Sequence, residues 1–160
     1  MKKVLVSACL MGQKVRYDGN ALTQESELFQ RLVELADIVT LCPEVAGGLP
    51  TPRPPAEIDV ADGGAVVAGK GKVISVQQID VTGHFVSGAQ KTLELCKQHN
   101  IKIAILTESS PSCGSTLIYN GQFAGTKVSG HGVTTALLRQ HGITVFSQFN
   151  VEDALAALEL

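Results

Sequence analysis

Short apolar runs alternate along this chain with segments whose apolar residues recur at helical spacing, and three of the runs end beside a cysteine. The contexts are Val4-Leu5-Val6-Ser7-Ala8-Cys9, Ile38-Val39-Thr40-Leu41-Cys42-Pro43-Glu44 and Ile103-Ala104-Ile105-Leu106, which leads through Thr107 and Glu108 to Ser110-Pro111-Ser112-Cys113-Gly114. In a parallel α/β sheet the carboxyl ends of the strands share one edge, and ligands bind there. Thiols far apart in the chain therefore meet in one pocket. Three converging thiolates suit a soft metal centre with one coordination position left open.

The pattern predicts strands over residues 2–8, 38–42, 101–107 and 143–147. It predicts helices from a Thr23 cap to about Ala36, over 81–99, over 133–140, and over 151–158 behind an Asn150 cap. The apolar face of the first helix is expected to comprise Leu28, Phe29, Leu32, Val33 and Leu35. From Pro43 to Ala56 five prolines and Gly47-Gly48 leave few regular backbone donors, so an ordered loop or a lid is expected. Turn glycines within 65–76 suggest a hairpin or a small excursion from the main sheet, and Asn120-Gly121 marks a second turn between apolar residues. The succession specifies an α/β fold: one three-layer Rossmann-like domain over 1–160, with a mainly parallel sheet and small hairpin excursions.

Composition narrows the function classes. A formal charge of −2 gives no basic field to attract nucleic acid or a membrane surface, and 4% aromatic residues with no Trp argue against a single-strand stacking platform. No run approaches the ~20 apolar residues of a membrane span. The start Met1-Lys2-Lys3-Val4-Leu5-Val6-Ser7 begins like a signal peptide, but its apolar run is too short. A cytoplasmic setting is therefore expected, where cysteines are metal ligands or reactive thiols rather than disulfides.

Cys96 lies on the apolar stripe of a helix with Phe85 and Leu93 and reads as core. Cys9, Cys42 and Cys113 sit instead among Pro, Gly, hydroxyl and acidic residues. The chain lacks the close Cys-x-x-Cys pairs of familiar zinc modules, yet three dispersed thiolates with an exogenous ligand still fit either a catalytic zinc or an iron–sulfur cluster. Spacing leaves both open. Glu44, two residues from Cys42, is the candidate general acid/base. Ser110 is a candidate donor to a developing oxyanion. Arg16, Asp18, Arg53 and Ser112 are candidate substrate contacts, because guanidinium forks and short polar side chains suit a planar polar ring; the plainer reading of Arg16 and Asp18 is a surface pair. His84, His131, Lys127 and Ser129 lie in loops or near helix starts that could face the site. Neither a Gly-x-Gly-x-x-Gly after a strand nor a Walker A sequence is present, which disfavours a nucleotide-cofactor enzyme.

Taken together, Ser7-Ala8-Cys9-Leu10-Met11-Gly12, Val15-Arg16-Tyr17-Asp18-Gly19, the stretch Cys42 to Arg53, Pro55-Ala56-Glu57, Ser110 to Gly114, Ile118 to Gly121 and Gly130-His131-Gly132-Val133 form an ordered set. In these pieces the chain resembles, over nearly its full length, the small bacterial thiouracil desulfidase family, formerly a domain of unknown function. The resemblance implies a 4Fe-4S cluster on Cys9, Cys42 and Cys113, with one open iron that takes the sulfur of a thiolated pyrimidine such as 2-thiouracil. Water then replaces sulfur without net redox change, giving uracil and hydrogen sulfide. The family's acid maps onto Glu44 and its serine onto Ser110, with Ser112 the neighbouring alternative. The partner implied is a small thiolated nucleobase; the modest acidity weighs against large RNA. Rival readings are a cluster- or zinc-binding sulfur-transfer enzyme and a redox- or metal-sensing module.

Overall fold

The computed structural model describes residues 1–160. The first half of the chain runs β1 (Lys3–Ser7), α1 (Glu27–Leu35), β2 (Asp37–Leu41), α2 (Pro43–Ala46), β3 (Ala56–Ile58), α3 (Gly63–Val67) and β4 (Val73–Ser75). It continues as α4 (Thr82–Gln98), β5 (Ile103–Ile105), β6 (Leu117–Tyr119), β7 (Lys127–Ser129), α5 (Val133–Gln140), β8 (Thr144–Phe146) and α6 (Val151–Leu158).

Side-chain alternation assigns the layers. Val4, Val6, Ile103 and Ile105 pack against Phe29 and Leu32 of α1 and Val151, Ala154 and Leu155 of α6. Leu5, Ala104 and Val145 point the other way, onto Leu93 and Cys96 of α4 and Leu138 of α5. Burial on both faces is what a parallel sheet requires, and its strands are accordingly near-continuous apolar runs. The sheet is parallel throughout, in the order β2-β1-β5-β8, with Leu5 opposite both Val39 and Ala104. The chain leaves β1 toward β2 on one side and later returns to pair β5 on the other. The crevice beyond the carboxyl ends of β1 and β5 is thus the topological switch point, where α/β sheets bind ligands.

Two antiparallel pairs stand outside this sheet, β3 with β4 and β6 with β7. Ile58, Val66, Val73, Phe85, Ile118 and Val133 knit them into a third apolar cluster against α4 and α5. No helix is long and apolar enough to cross a membrane.

The three-layer fold with small excursions stands as the sequence implies, and α5 and α6 have the expected bounds. Five local expectations change. The first helix starts at Glu27 because Leu22 and Gln24 donate to the carbonyls of Cys9 and Leu10, which holds that stretch extended; Ser26, not Thr23, caps it by accepting from Phe29 N. Its buried face is only Phe29 and Leu32, with Leu28, Val33 and Leu35 exposed. In 65–76 there is no internal hairpin, because Asp62 accepts from Gly64 N and Ala65 N and caps α3; β4 pairs instead with β3. Pro43 initiates the short α2 rather than a plain loop, since the first helical position needs no N–H. Asn150 occupies the N-cap of α6, but its Oδ1 accepts from Ser147 N at 2.6 Å rather than capping forward.

Helix α2 approaches α4 through glycines. A Cβ on Gly88 would stand 2.0 Å from the Pro43 carbonyl oxygen, and one on Gly47 would stand 1.9 Å from that of His84. Both contacts are with backbone, which yields least. Gly88→Ala is therefore expected to destabilise the fold by about 1–3 kcal/mol through overpacking. Urea unfolding checks this: a lowered midpoint with unchanged slope is the expected result.

Candidate active site

A cavity of about 540 Å³ opens at the carboxyl edge of the sheet, lined by residues that follow β1, β2, β5 and β8 and by the two excursions. Cys9, Cys42 and Cys113 all border it. Cys9 lies on a single 3-10 turn, Ala8–Met11, directly after β1; Cys42 is the N-cap of α2, directly after β2. Cys113 sits in the loop after β5. Cys9 and Cys113 are buried and Cys42 half-buried, and no cysteine forms a disulfide. Cys96 lies away from the cavity, as expected, its thiol raised to about 11 by burial.

The loop carrying Cys113 is fixed against the start of α5. Val133 N donates to Pro111 O at 2.8 Å, Thr134 N to Ser112 O at 2.9 Å and Gly132 N to Gly114 O at 2.8 Å. The loop's carbonyls thereby satisfy N–H groups that a helix start leaves orphaned. Thr135 Oγ1 donates to Cys113 O at 2.9 Å. Gly132 permits the approach, since a Cβ there would lie 2.4 Å from the Ser112 carbonyl. Ser110 Oγ accepts from Cys113 N at 2.8 Å and from Ser112 N at 3.1 Å, a tight serine turn beneath the thiol.

On the opposite wall, Arg53 is only 8% exposed and its fork is almost fully engaged. Nε donates to Glu44 Oε1 at 3.1 Å, Nη1 to Pro50 O and Thr51 Oγ1, and Nη2 to Val15 O at 3.0 Å. Burial pushes the Glu44 carboxyl up, while the charge and hydrogen bond of Arg53 and a hydrogen bond from Ser110 draw it back.

The structure brings Cys9, Cys42, Cys113, Glu44, Ser110, Arg16 and Arg53 to one cavity. It does not bring Ser112 or Asp18. Ser112 is 1% exposed behind the wall, its hydroxyl paired with Thr134 Oγ1 at 2.8 Å. Asp18 turns away to accept from Asn20 N at 3.0 Å, with Arg16 Nη1 3.8 Å from its other oxygen. The plainer reading of that pair is the one observed. Lys127 reaches the rim, 5.6 Å from the Tyr119 ring centroid, whereas Ser129 does not border the cavity. His84 accompanies α2 through Gly47 O at 2.8 Å, and His131 lies 3.5 Å from Asp62.

Among the cavity residues that the sequence reading does not name as site candidates are Ser7, Glu57, Thr107, Glu108 and Phe149. Thr107 Oγ1 lies 3.0 Å from Cys9 Sγ, and Ser7 Oγ lies 3.9 Å from Cys113 Sγ while accepting Thr107 N at 3.1 Å. The usable signal was position, since Ser7 and Thr107 also stand at strand ends.

The donor set fits a polynuclear sulfur-ligated group. Burial pushes the Cys113 thiol far above its ordinary range, with Cys42, Glu44 and Cys9 pushing the same way, and burial likewise raises Cys9 and Cys42. Such thiols ionise readily only opposite a strong positive centre. The cavity is bordered by three thiols and by no histidine, a set that suits the all-sulfur ligation of an iron–sulfur cluster.

The family model described as 2-thiouracil desulfurase matches residues 4–150. A Bacillus subtilis (strain 168) protein called uncharacterized protein YbbK is 45% identical over 152 residues, which cover 95% of this chain and 99% of that one. A solved structure, described as the 4Fe-4S-dependent thiouracil desulfidase TudS, superposes with a TM-score of 0.88 at 46% identity and 99% coverage of both chains.

Glu108 yields a test of the Cys113 wall. Oε1 accepts from the N–H groups of Ser109, Ser115, Thr116 and Leu117, and Oε2 from the hydroxyls of Ser115 and Thr116. Desolvation pushes this carboxyl up, but the Ser115 hydroxyl and the N–H groups of Thr116, Leu117 and Ser109 outweigh it and hold it at about 2, against an ordinary 4.5. A depressed folded-state value means stability fully present above 4.5 and lost as pH falls toward 2. Glu108→Gln should flatten that part of the stability–pH curve and lower the urea midpoint at pH 7. An unaltered acid limb would show that Glu108 does not anchor the loop.

Proposed function

Because the chain belongs to the 2-thiouracil desulfurase family, we propose that it is an iron–sulfur-dependent desulfidase converting a thiolated pyrimidine such as 2-thiouracil, with water, to uracil and hydrogen sulfide. The observation that carries this reading is the meeting of three thiols, two buried and one half-buried, with the Arg53–Glu44 pair in one cavity at the switch point. In it Cys9, Cys42 and Cys113 hold a 4Fe-4S cluster. When bound, the cluster supplies a Lewis-acidic iron without a protein ligand, able to accept sulfur.

The remaining work falls to side chains. Arg53 Nε engages one oxygen of Glu44, leaving the other to take a proton from the water that adds at the thiocarbonyl carbon and to return it to the departing sulfur. Ser110 Oγ already accepts two N–H groups, so its own proton is free for the Glu44 carboxylate and orients it. Arg16 sits in the same lining at the rim, stacked 5.8 Å from the Tyr17 ring centroid, and meets the polar edge of the pyrimidine. Asp18 and Ser112 take supporting places, holding Arg16 and the start of α5. Arg53 is a positioning residue, because four of its five N–H groups serve protein acceptors.

Anaerobic reconstitution tests the reading: the wild-type protein should hold four irons per chain and release sulfide from 2-thiouracil in step with uracil. Glu44→Gln should lower kcat by about 10²–10⁴, the usual worth of a general acid/base, with iron content unchanged. If iron is lost instead, Glu44 serves the cluster's environment and not the proton. Cys9→Ser, Cys42→Ser and Cys113→Ser should each lose iron and activity together.

A further inference from the structure

The three thiols are not equivalent in their surroundings. Thr107 Oγ1 stands 3.0 Å from Cys9 Sγ, a close approach for an oxygen to a sulfur, and Thr107 is 8% exposed. Ser7, 3% exposed, spends a lone pair on Thr107 N at 3.1 Å, which leaves its hydroxyl proton available to Cys113 Sγ at 3.9 Å. The two hydroxyls therefore work from neighbouring strand ends, β1 and β5, tied together by one hydrogen bond. Cys42 has no hydroxyl partner: at the start of α2 the backbone N–H groups of Val45 and Glu44 serve its sulfur instead, and Val15 O, 3.9 Å away, is a carbonyl with no proton to give.

We propose that Thr107 and Ser7 are positioning residues that donate O–H···S hydrogen bonds to Cys9 and Cys113 as cluster thiolates and draw charge from both sulfurs. This rests on the reading of the three cysteines as ligands. A thiolate has no proton of its own, so at either sulfur the hydroxyl must be the donor. Hydrogen bonds to ligand sulfur draw charge from the metal and are among the factors that set a cluster's reduction potential. The same withdrawal leaves the irons more electron-poor toward incoming sulfur. Thr107 dominates, being the closer; Ser7 contributes directly at longer range and by holding Thr107 in place.

The test is made on anaerobically reconstituted protein, reading iron per chain and the midpoint potential from titration followed by electron paramagnetic resonance. Thr107→Val keeps the shape and removes the donor. With iron content unchanged, its potential should move to more negative values, and Thr107→Ser should restore most of the shift. Ser7→Ala should move it the same way by less, and provides the reading if Thr107→Val folds poorly. A wild-type potential in both Thr107→Val and Ser7→Ala at full iron loading overturns the proposal while leaving the ligand assignment intact. Full iron loading in Cys9→Ser overturns the ligand assignment itself.

Discussion

One guanidinium holds together the part of the molecule that has least regular structure. Arg53 joins the loop after β1 through Val15 O, the segment after α2 through Pro50 O and Thr51 Oγ1, and α2 itself through Glu44. In the segment after α2 prolines remove backbone donors, so its carbonyls need partners from elsewhere. A planar fork supplies several donors at fixed angles from one buried charge, which lysine does not. The charge is itself buried, and Glu44 balances it. Each half of the pair makes the other tolerable; a glutamine at 44 would still offer Arg53 Nε an acceptor, whereas loss of Arg53 would strip the carboxylate of its cation and the loop carbonyls of their donors. Cys42 lies two residues from Glu44, so the placing of that thiol follows from the same balance.

The opposite wall uses the reverse polarity. There the loop from Ser109 to Leu117 has N–H groups to spare, and the Glu108 carboxylate gathers four of them onto one oxygen. The start of α5 then takes up the loop's carbonyls at Pro111 and Ser112. A cation serving carbonyls on one side and an anion serving amides on the other leave both loops ordered without a sheet ladder. These contacts fix the backbone that carries Cys42 and Cys113, and a single 3-10 turn carries Cys9.

Legibility followed the range of the governing interactions. Periodicity along the chain revealed β1, β2, β5 and the helices α4, α5 and α6, because burial on two faces or one leaves its mark every second or fourth residue. It failed where a distant backbone group decided the outcome. The carbonyls of Cys9 and Leu10 hold Leu22 and Gln24 out of α1, and β3 claims β4 from across the Pro-rich segment. At the site, the cysteines were legible because strand ends are. Ser110 and Ser112 differ by two positions in one motif, and only the packing of α5 sends one hydroxyl to the cavity and the other behind it. Arg53 looked like a reader of substrate because its partners, Val15 and Pro50 above all, offer only backbone oxygens, which no side-chain pattern announces.

Glu108 and Glu57 show the same blindness, and together with Glu44 they make the site's chemistry more definite. Three glutamates border the cavity. Both oxygens of Glu108 are filled by N–H and O–H donors, and Glu57, nearly buried, accepts Gly121 N at 2.9 Å and Phe123 N at 3.3 Å to hold the β6–β7 excursion over the pocket. A carboxylate saturated by the backbone is committed to its charge, since protonation would strand several amide donors at once. Glu44 is differently placed: its partners are two side chains, Arg53 and Ser110, and neither is a backbone donor. Side chains can follow a change in the carboxyl group, whereas a closed ring of backbone amides cannot. Of three acids around one cavity, two are therefore held by backbone donors and one by side chains, and it is the one two residues from a thiol.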